Sequence, residues 1–297
     1  MNPRVAVIVA TAGRRPVIER MLPFLTGQDY EPIDYFVVAP DAESLPRDTT
    51  GYSGLTTLLS DRGLTKQRNV GLRALDVRHE YVFFFDDDAI PDRTYIGKCV
   101  ALFESESDIV GVTGNVVIDG AALDREISID EALSKLEEAS TNPLPGIDPR
   151  NKDLYGCNFG ARASVAVSEL FDERLPLYGW LEDQDFSRRV LRHGKIATVG
   201  SALVAHLAAQ SGGRTDHVRF GYWQVSNPVH LLQKKSFGVA LTLRQIGRPL
   251  LANVLGSVNP RGVDRRLRLK GNAIAVLDLI RGQCDPDRAL KLRPGSS

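Results

Sequence analysis

The chain has 297 residues, 43% of them hydrophobic, with 37 Lys plus Arg against 37 Asp plus Glu. That balance removes the electrostatic case for a nucleic-acid partner, and the apolar fraction suffices for one α/β domain with an appendage. Three cysteines, Cys99, Cys157 and Cys284, have no metal-ligand spacing and an odd count, so a disulfide framework is not expected and a reducing compartment is.

Met1 to Ala10 holds a short apolar run without the cleavage region of a signal peptide, and Val5 to Ala10 within it reads as a buried strand. Pro16 opens a helix in which Val17, Met21, Leu22 and Leu25 follow the helical period. Ile33 to Ala39 reads as a second strand, Leu64 to Leu75 as a helix, and Tyr81 to Phe85 as a central strand. Asp92 caps the next helix, whose Tyr95, Ile96, Cys99, Val100 and Phe103 share a face, and Ile109 to Ile118 is another strand. This alternation implies a mainly parallel α/β sheet. Asp130 to Ser140 is a short acidic helix followed by a proline-rich loop, read together as an insertion. Gly156 to Arg162 returns to the sheet, Ser164 to Phe171 is a short helix, and Glu182 to His193 a further helix that Gly194 would end in a left-handed cap. Lys195 to His206 is a late strand. Ser211-Gly212-Gly213-Arg214 is flexible by composition, and an apolar-biased helix at Phe237 to Val258 precedes a basic stretch, Arg261 to Lys270. No run reaches the ~20 apolar residues that cross a bilayer.

The densest chemistry is Asp86-Asp87-Asp88 directly behind the apolar strand Tyr81 to Phe85. A strand buried on both faces points its carboxyl end at the ligand crevice of an open α/β sheet. Three carboxylates there repel one another unless a cation intervenes, and hard oxygen ligands suit Mg²⁺ or Mn²⁺ shared with substrate phosphates. The plainer alternative is a solvated turn. After the first strand, Thr11-Ala12-Gly13-Arg14-Arg15-Pro16 contains one glycine, so neither the dinucleotide fingerprint nor the P-loop is present. Thr11 and Asp41, at the ends of the first two strands, lie where a base or ribose would sit. Arg68 and Asn69, in a segment read as a helix start, offer planar donors for a diphosphate, or else form an ordinary helix start.

Tyr178-Gly179-Trp180-Leu181-Glu182-Asp183-Gln184-Asp185 is the second dense segment. Acids in a first helical turn suit the helix dipole, but the adjacent Gly-Trp adds a ring on which a sugar could stack, with Glu182 bonding its hydroxyls. Asp185 has Arg188 and Arg189 at ion-pair spacing, so its charge reads as structural. His206 closes a strand before the basic loop with Arg214, and is either a structural histidine or the completing ligand of the metal site.

Taken in order, these segments resemble a family 2 inverting glycosyltransferase of GT-A fold. The resemblance rests on Val7 to Thr11, Lys66 to Leu72, Phe85 to Asp88 with Pro91, Gly156 to Phe159, Phe171 to Glu173, and Glu182 to Asp185 ahead of Arg188 and Gly194. It covers about residues 4–215. It implies a nucleoside-diphosphate sugar donor, a divalent metal (Mn or Mg), a saccharide or lipid-linked saccharide acceptor and a cytoplasmic role in polysaccharide or glycolipid assembly. Asp86 and Asp87 would lie toward ribose and donor sugar, Asp88 toward the metal, Asn158 and Phe159 near the donor sugar, and Asp183 would be the base; Arg214 is assigned to the donor. Two departures stand out: Pro40-Asp41-Ala42-Glu43 replaces a common acidic pair, and Trp180-Leu181 separates Gly179 from Glu182.

The implied organisation is a GT-A domain over 1–215 (nucleotide-binding half 1–118, acceptor-binding half 119–215) and a C-terminal helical extension over 216–297. A sugar nucleotidyltransferase and a non-catalytic carbohydrate-binding protein on the same fold are the rival functions. The first expects a longer glycine- and basic-rich turn after strand one; the second needs neither Asp88 nor Asp183. In the extension, Leu241, Ile246, Leu250, Leu251 and Val254 beside the arginines suggest a partner-facing or peripheral membrane helix at the inner face of a membrane, or a helix packed on the enzyme's own body.

Overall fold

The computed structural model describes residues 2–141, 146–148, 152–209, 216–258 and 263–292. They fall into two units, one of Met1–Phe171 with Phe186–Gln210 and one of Asp172–Asp185 with Ser211–Ser297.

The first unit is built on a nine-stranded sheet. Its elements are β1 (Arg4–Ala10), α1 (Arg15–Thr26), β2 (Ile33–Ala39), β3 (Leu55–Leu59), α2 (Leu64–Arg73), β4 (His79–Asp86), β5 (Ala89–Pro91), α3 (Tyr95–Ser105) and β6 (Ile109–Asp119). They continue with α4 (Gly120–Leu123), α5 (Ile129–Thr141), β7 (Ile147–Asp148), β8 (Asn158–Arg162) and α6 (Ala163–Glu169). Then come α7 (Glu182–Val190), whose first turn belongs to the second unit, and β9 (Lys195–His206). The sheet runs β3-β2-β1-β4-β8-β6-β9-β5, with β7 added to β9.

Strands β1 to β4 pair in parallel, as the alternating pattern implies. The parallel run is then interrupted: β8 lies antiparallel between β4 and β6, so β6 does not neighbour β4. The continuous apolar runs have a simple cause. Val5, Val7, Val9, Tyr81, Phe83 and Phe85 face one core with α1, α3 and α5, while Ala6, Ile8, Val82 and Phe84 face another with α2 and α6. A strand covered on both faces has no solvent side on which to place polar residues. Each fully buried phenylalanine contributes about 1.5–3 kcal/mol.

Two local expectations are corrected. Asp92 is not the cap of α3: its carboxylate accepts from the Thr94 N–H at 3.0 Å, making a turn that delivers the chain to Tyr95. Gly194 is not in the left-handed region, because its φ is not positive. It is required by close approach instead, since a Cβ there would lie 2.4 Å from the Asp108 carbonyl oxygen.

The second unit contains α8 (His217–Gln233), α9 (Val239–Gly256), α10 (Arg265–Ile280) and a 3₁₀ turn at Pro286–Lys291. Phe220, Tyr222, Trp223, Val225, Ala275 and Ala289 form its main apolar cluster, and Leu175, Leu181, Leu231 and Phe237 a smaller one. The sequence reading found α9 but neither α8 nor α10.

Candidate active site

Three strands of the first unit, and one turn, deliver charge to one place. β4 ends in Asp86, with Asp87 and Asp88 on the turn into β5, β6 ends in Asp119, and β9 ends in His206. β5 and β6 both pair with β9, which sets Ala89 and Asp119 opposite His206 and so fixes the imidazole beside the aspartates. His206 Nε2 stands 3.3 Å from Asp88 Oδ1 and 3.8 Å from Asp86 Oδ2, and Nδ1 stands 2.9 Å from Asp119 Oδ1. Tyr155 donates its hydroxyl to the other Asp119 oxygen.

The three adjacent aspartates have separate surroundings. Asp87 is fully buried: Thr11 Oγ1 donates to it at 2.6 Å, and the Arg14 guanidinium grips both of its oxygens. Asp88 Oδ2 accepts from Arg14 at 3.2 Å and from the Ala209 N–H at 2.9 Å. Asp86 retains 31% side-chain exposure, with Arg68 reaching one oxygen at 3.3 Å. Arg68 also donates to the Gly156 carbonyl at 2.7 Å and lies over the rings of Phe84, Phe159 and Phe171, a buried cation held by aromatic faces.

These surroundings set the electrostatics. Loss of water pushes Asp87 up to about 7, with Arg14 pulling the other way. Asp86 also rises by loss of water, against Arg68 and His206. Asp88 ends below the usual range because His206 close beside it and the charge of Arg14 outweigh its burial. Burial alone would lower His206, but its bond to Asp119, the close Asp88 carboxylate and the charge of Asp86 raise it to about 10. The carboxylates around His206 therefore make this a place that favours positive charge.

One acceptor is left over. Asp88 Oδ1 is buried and has no hydrogen bond of acceptable geometry. Ligand atoms of Asp86, Asp88 and His206 all lie within 4.8 Å of one another. Two carboxylates and an imidazole are a donor set suited to a divalent cation, so these residues fit a metal.

The remaining candidates divide between placement and framework. Gln67 donates to the carbonyls of Thr11 and Val38, bracing the ends of β1 and β2. Asp41 accepts from Ser44, whose hydroxyl accepts the Gly13 N–H, so it is tied to the turn after β1. Arg68 and Asn69 are not at a helix start: α2 begins at Leu64, and both are buried in its second turn. Asn69 clasps the backbone of Phe171 through both ends of its amide, at 2.9 and 2.7 Å. Asn158 is fully buried, accepting from the Tyr95 hydroxyl and the Gly114 N–H, and Phe159 stacks on Phe84 in the core. Arg214 lies outside the described residues. Arg14 and Asp119 are not among the site candidates the sequence offers. An arginine one turn past a strand end, and an aspartate ending a strand, were the available signals.

In the second unit, Trp180 packs against Phe220 with ring centroids 5.8 Å apart, and its carbonyl accepts from Asn227. Leu177 and Leu181 both have positive φ, 54° and 74°, on either side of Gly179. Leucine in that region is strained by roughly 1–2 kcal/mol, which burial of Leu181 beside Leu175, Leu231 and Phe237 offsets. Glu182 is buried and Asp183 partly exposed, with Asp183 Oδ1 accepting from the Gln184 N–H at 2.8 Å. Asp185 pairs with Lys234 at 2.9 Å rather than with Arg188 or Arg189. Arg188 pairs with Asp153 and Arg189 with Glu169. Lys234 and His230 also hold Asp172, each at 2.8 Å.

Comparison with known proteins bears on the family and the fold. The family model described as glycosyl transferase family 2 matches residues 6–166. No curated protein matches. Among solved structures, the chain is similar to the mannosyltransferase PcManGT of Pyrobaculum calidifontis, solved with GDP-Man and Mn²⁺, at 16% identity and TM-score 0.54 over 98% of this chain and 86% of that one. It is similar to S. aureus TarS 1–349 with UDP-GlcNAc at 16% identity and TM-score 0.57, over 96% of this chain and 82% of that one. At such identity the likeness shows the fold, which is GT-A.

Proposed function

Since this chain belongs to glycosyl transferase family 2, we propose that it transfers a sugar from a nucleoside-diphosphate sugar to an acceptor hydroxyl with inversion at the anomeric carbon. The observation that carries the reading is the acidic strand-end site with one buried, unbonded carboxylate oxygen on Asp88. Asp88, His206 and Asp86 would hold a divalent metal, Mn²⁺ or Mg²⁺, in company with donor phosphates. Bound there, such an ion would offset the charge that builds on the departing diphosphate.

Asp86, the most exposed of the three aspartates, suits contact with the donor's ribose or sugar, while Asp87 and Thr11 hold the turn that presents it. Asp41 and Arg68 belong to the same donor half. Asn69, Asn158 and Phe159 act on the donor by fixing the backbone around it. Asp183 takes the proton of the acceptor hydroxyl as that oxygen bonds the anomeric carbon and the bond to the diphosphate breaks from the opposite side. Trp180 offers the acceptor a ring face, with Glu182 beside it. The similar structures were solved with GDP-Man and with UDP-GlcNAc, so the fold accommodates different bases and sugars. A saccharide or lipid-linked saccharide acceptor in cytoplasmic polysaccharide or glycolipid assembly suits this chemistry.

The test is incubation of the purified chain with a donor panel and acceptors, scoring released nucleoside diphosphate with Mn²⁺ or Mg²⁺ present. Acceptor-dependent release from one donor is the expected result. Formation of a nucleotide sugar from nucleoside triphosphate and sugar phosphate would identify a nucleotidyltransferase instead. Carbohydrate binding without turnover would identify a binding protein.

A further inference from the structure

The polarity of α9 and α10 is reversed. The buried residues of α9 are Thr242 and Asn253, and those of α10 are Arg268, Gly271, Asn272, Ala275 and Asp278. Asn253 donates to Gln224 at 2.7 Å and to Asn272 at 2.9 Å, and Asn272 donates to the Gly221 carbonyl at 2.7 Å. Leu241, Ile246 and Ile274 pack inward on the apolar clusters, but other large apolar side chains lie outside: Leu243 is 65% exposed, Leu255 69% and Ile280 78%, with Leu251 and Leu277 also exposed. A helix turns 100° per residue, so Leu243, Leu251 and Leu255 share an arc of about 120°. A helix folded only against water would carry its apolar stripe inward. Such a continuous apolar face normally marks a surface that something covers.

Two features say what covers it. The first is charge. Arg244, Arg248, Arg266 and Lys270 are exposed on these helices, α9 has no acid, and the one acid of α10, Asp278, is buried beneath Tyr222 and Arg288. The second is the packing inside. α8 and α10 meet through Gly221 and Gly271, where a Cβ on either would lie 2.1 Å from a backbone oxygen of the other helix. Small residues at the crossing, polar side chains bonded between helices and apolar side chains facing out are the arrangement of helices adapted to lipid. No helix among the described residues is long and apolar enough to cross a membrane. From these observations we propose that the outward faces of α9 and α10 seat on an anionic lipid surface, leucines and isoleucine at the headgroup–acyl boundary and the cations on lipid phosphates. The inference does not depend on the sugar-transfer reading.

The experiment is flotation of the full chain with phosphatidylcholine vesicles, with and without phosphatidylglycerol. Flotation with the anionic vesicles, at least about ten-fold weaker on the neutral ones, is expected. Arg244→Gln and Arg248→Gln should each weaken it about five-fold. Leu243→Glu with Leu251→Glu should remove it at unchanged melting temperature and donor hydrolysis. Absence of flotation, equal partition onto both vesicles, or partition indifferent to the arginine changes would overturn the proposal. So would a vesicle-free dimer that the leucine pair converts to monomer, because a second copy would then be the cover. Should the leucine pair fail to fold, the arginine variants, altered only at exposed positions, decide alone.

Discussion

In the first unit, polar groups without water converge at the ends of β4, β6 and β9 and in the turn into β5; in the second, they face one another between α8, α9 and α10. The outcomes differ. Between the helices, Asn253, Gln224 and Asn272 satisfy one another, and Asp278 is closed by Tyr222 and Arg288. At the strand ends, Arg14, Arg68 and His206 are set among four aspartates and Asp88 Oδ1 still has no hydrogen bond. Buried polarity that is closed specifies a packing; buried polarity left open invites a ligand. Substitutions of acidic residues can test whether this division is real.

The largest effect is expected at the open oxygen. Asp88→Ala should lower transfer by on the order of 10³-fold, and chelation of the wild-type protein should abolish it until Mn²⁺ is added. Isothermal titration with Mn²⁺ should show the site lost in the variant. Full activity of Asp88→Ala in excess chelator would sink the metal reading.

Next is Asp183. Asn keeps the shape but lacks the basic oxygen, so turnover should fall about 10²-fold or more while donor binding survives. Asp185→Asn is the control: it strips Lys234 of a buried partner and should cost stability more than chemistry. If Asp183→Asn turns over normally and Glu182→Gln is dead, the base is one residue earlier.

Asp119→Asn probes the support of the site. Asp119 touches His206 through Nδ1, so the change should loosen the imidazole and weaken Mn²⁺ binding about 10–100-fold. Its readout is metal affinity with the maximal rate at saturating Mn²⁺ largely kept. A fall in rate that no Mn²⁺ concentration recovers would mean Asp119 acts on the substrate instead.

The same contrast explains what could be read from residues alone. The run Tyr81 to Phe85 before three aspartates was legible because both faces of β4 are covered, leaving a continuous apolar signal that ends where charge begins. His206 was legible as a strand end. Arg14 and Asp119 were not, because their partners lie 73 and 87 residues away and only the strand order of the sheet brings them together. Strand β8 was placed in the sheet correctly, but its antiparallel position between β4 and β6 follows from long-range pairing that local pattern does not encode. The helices α8 and α10 escaped for a different reason. A search for helical period looks for apolar residues on the inner face, and α8 is buried nearly all round while α10 is reversed.

The smallest effect belongs to an acid of the closed kind. Asp264 precedes α10 and accepts the Leu267 N–H at 2.9 Å, satisfying one donor of the first turn. Its carboxylate also faces the positive end of the helix dipole. Asp264→Ala removes both contributions and should cost about 1 kcal/mol, seen as a lower urea midpoint at unchanged slope. Transfer at saturating donor and metal should stay within error of wild type. An acid whose oxygen already has its hydrogen bond changes stability, whereas one held open changes turnover. Equal loss of activity in Asp264→Ala and Asp88→Ala would show that the two classes are not distinct.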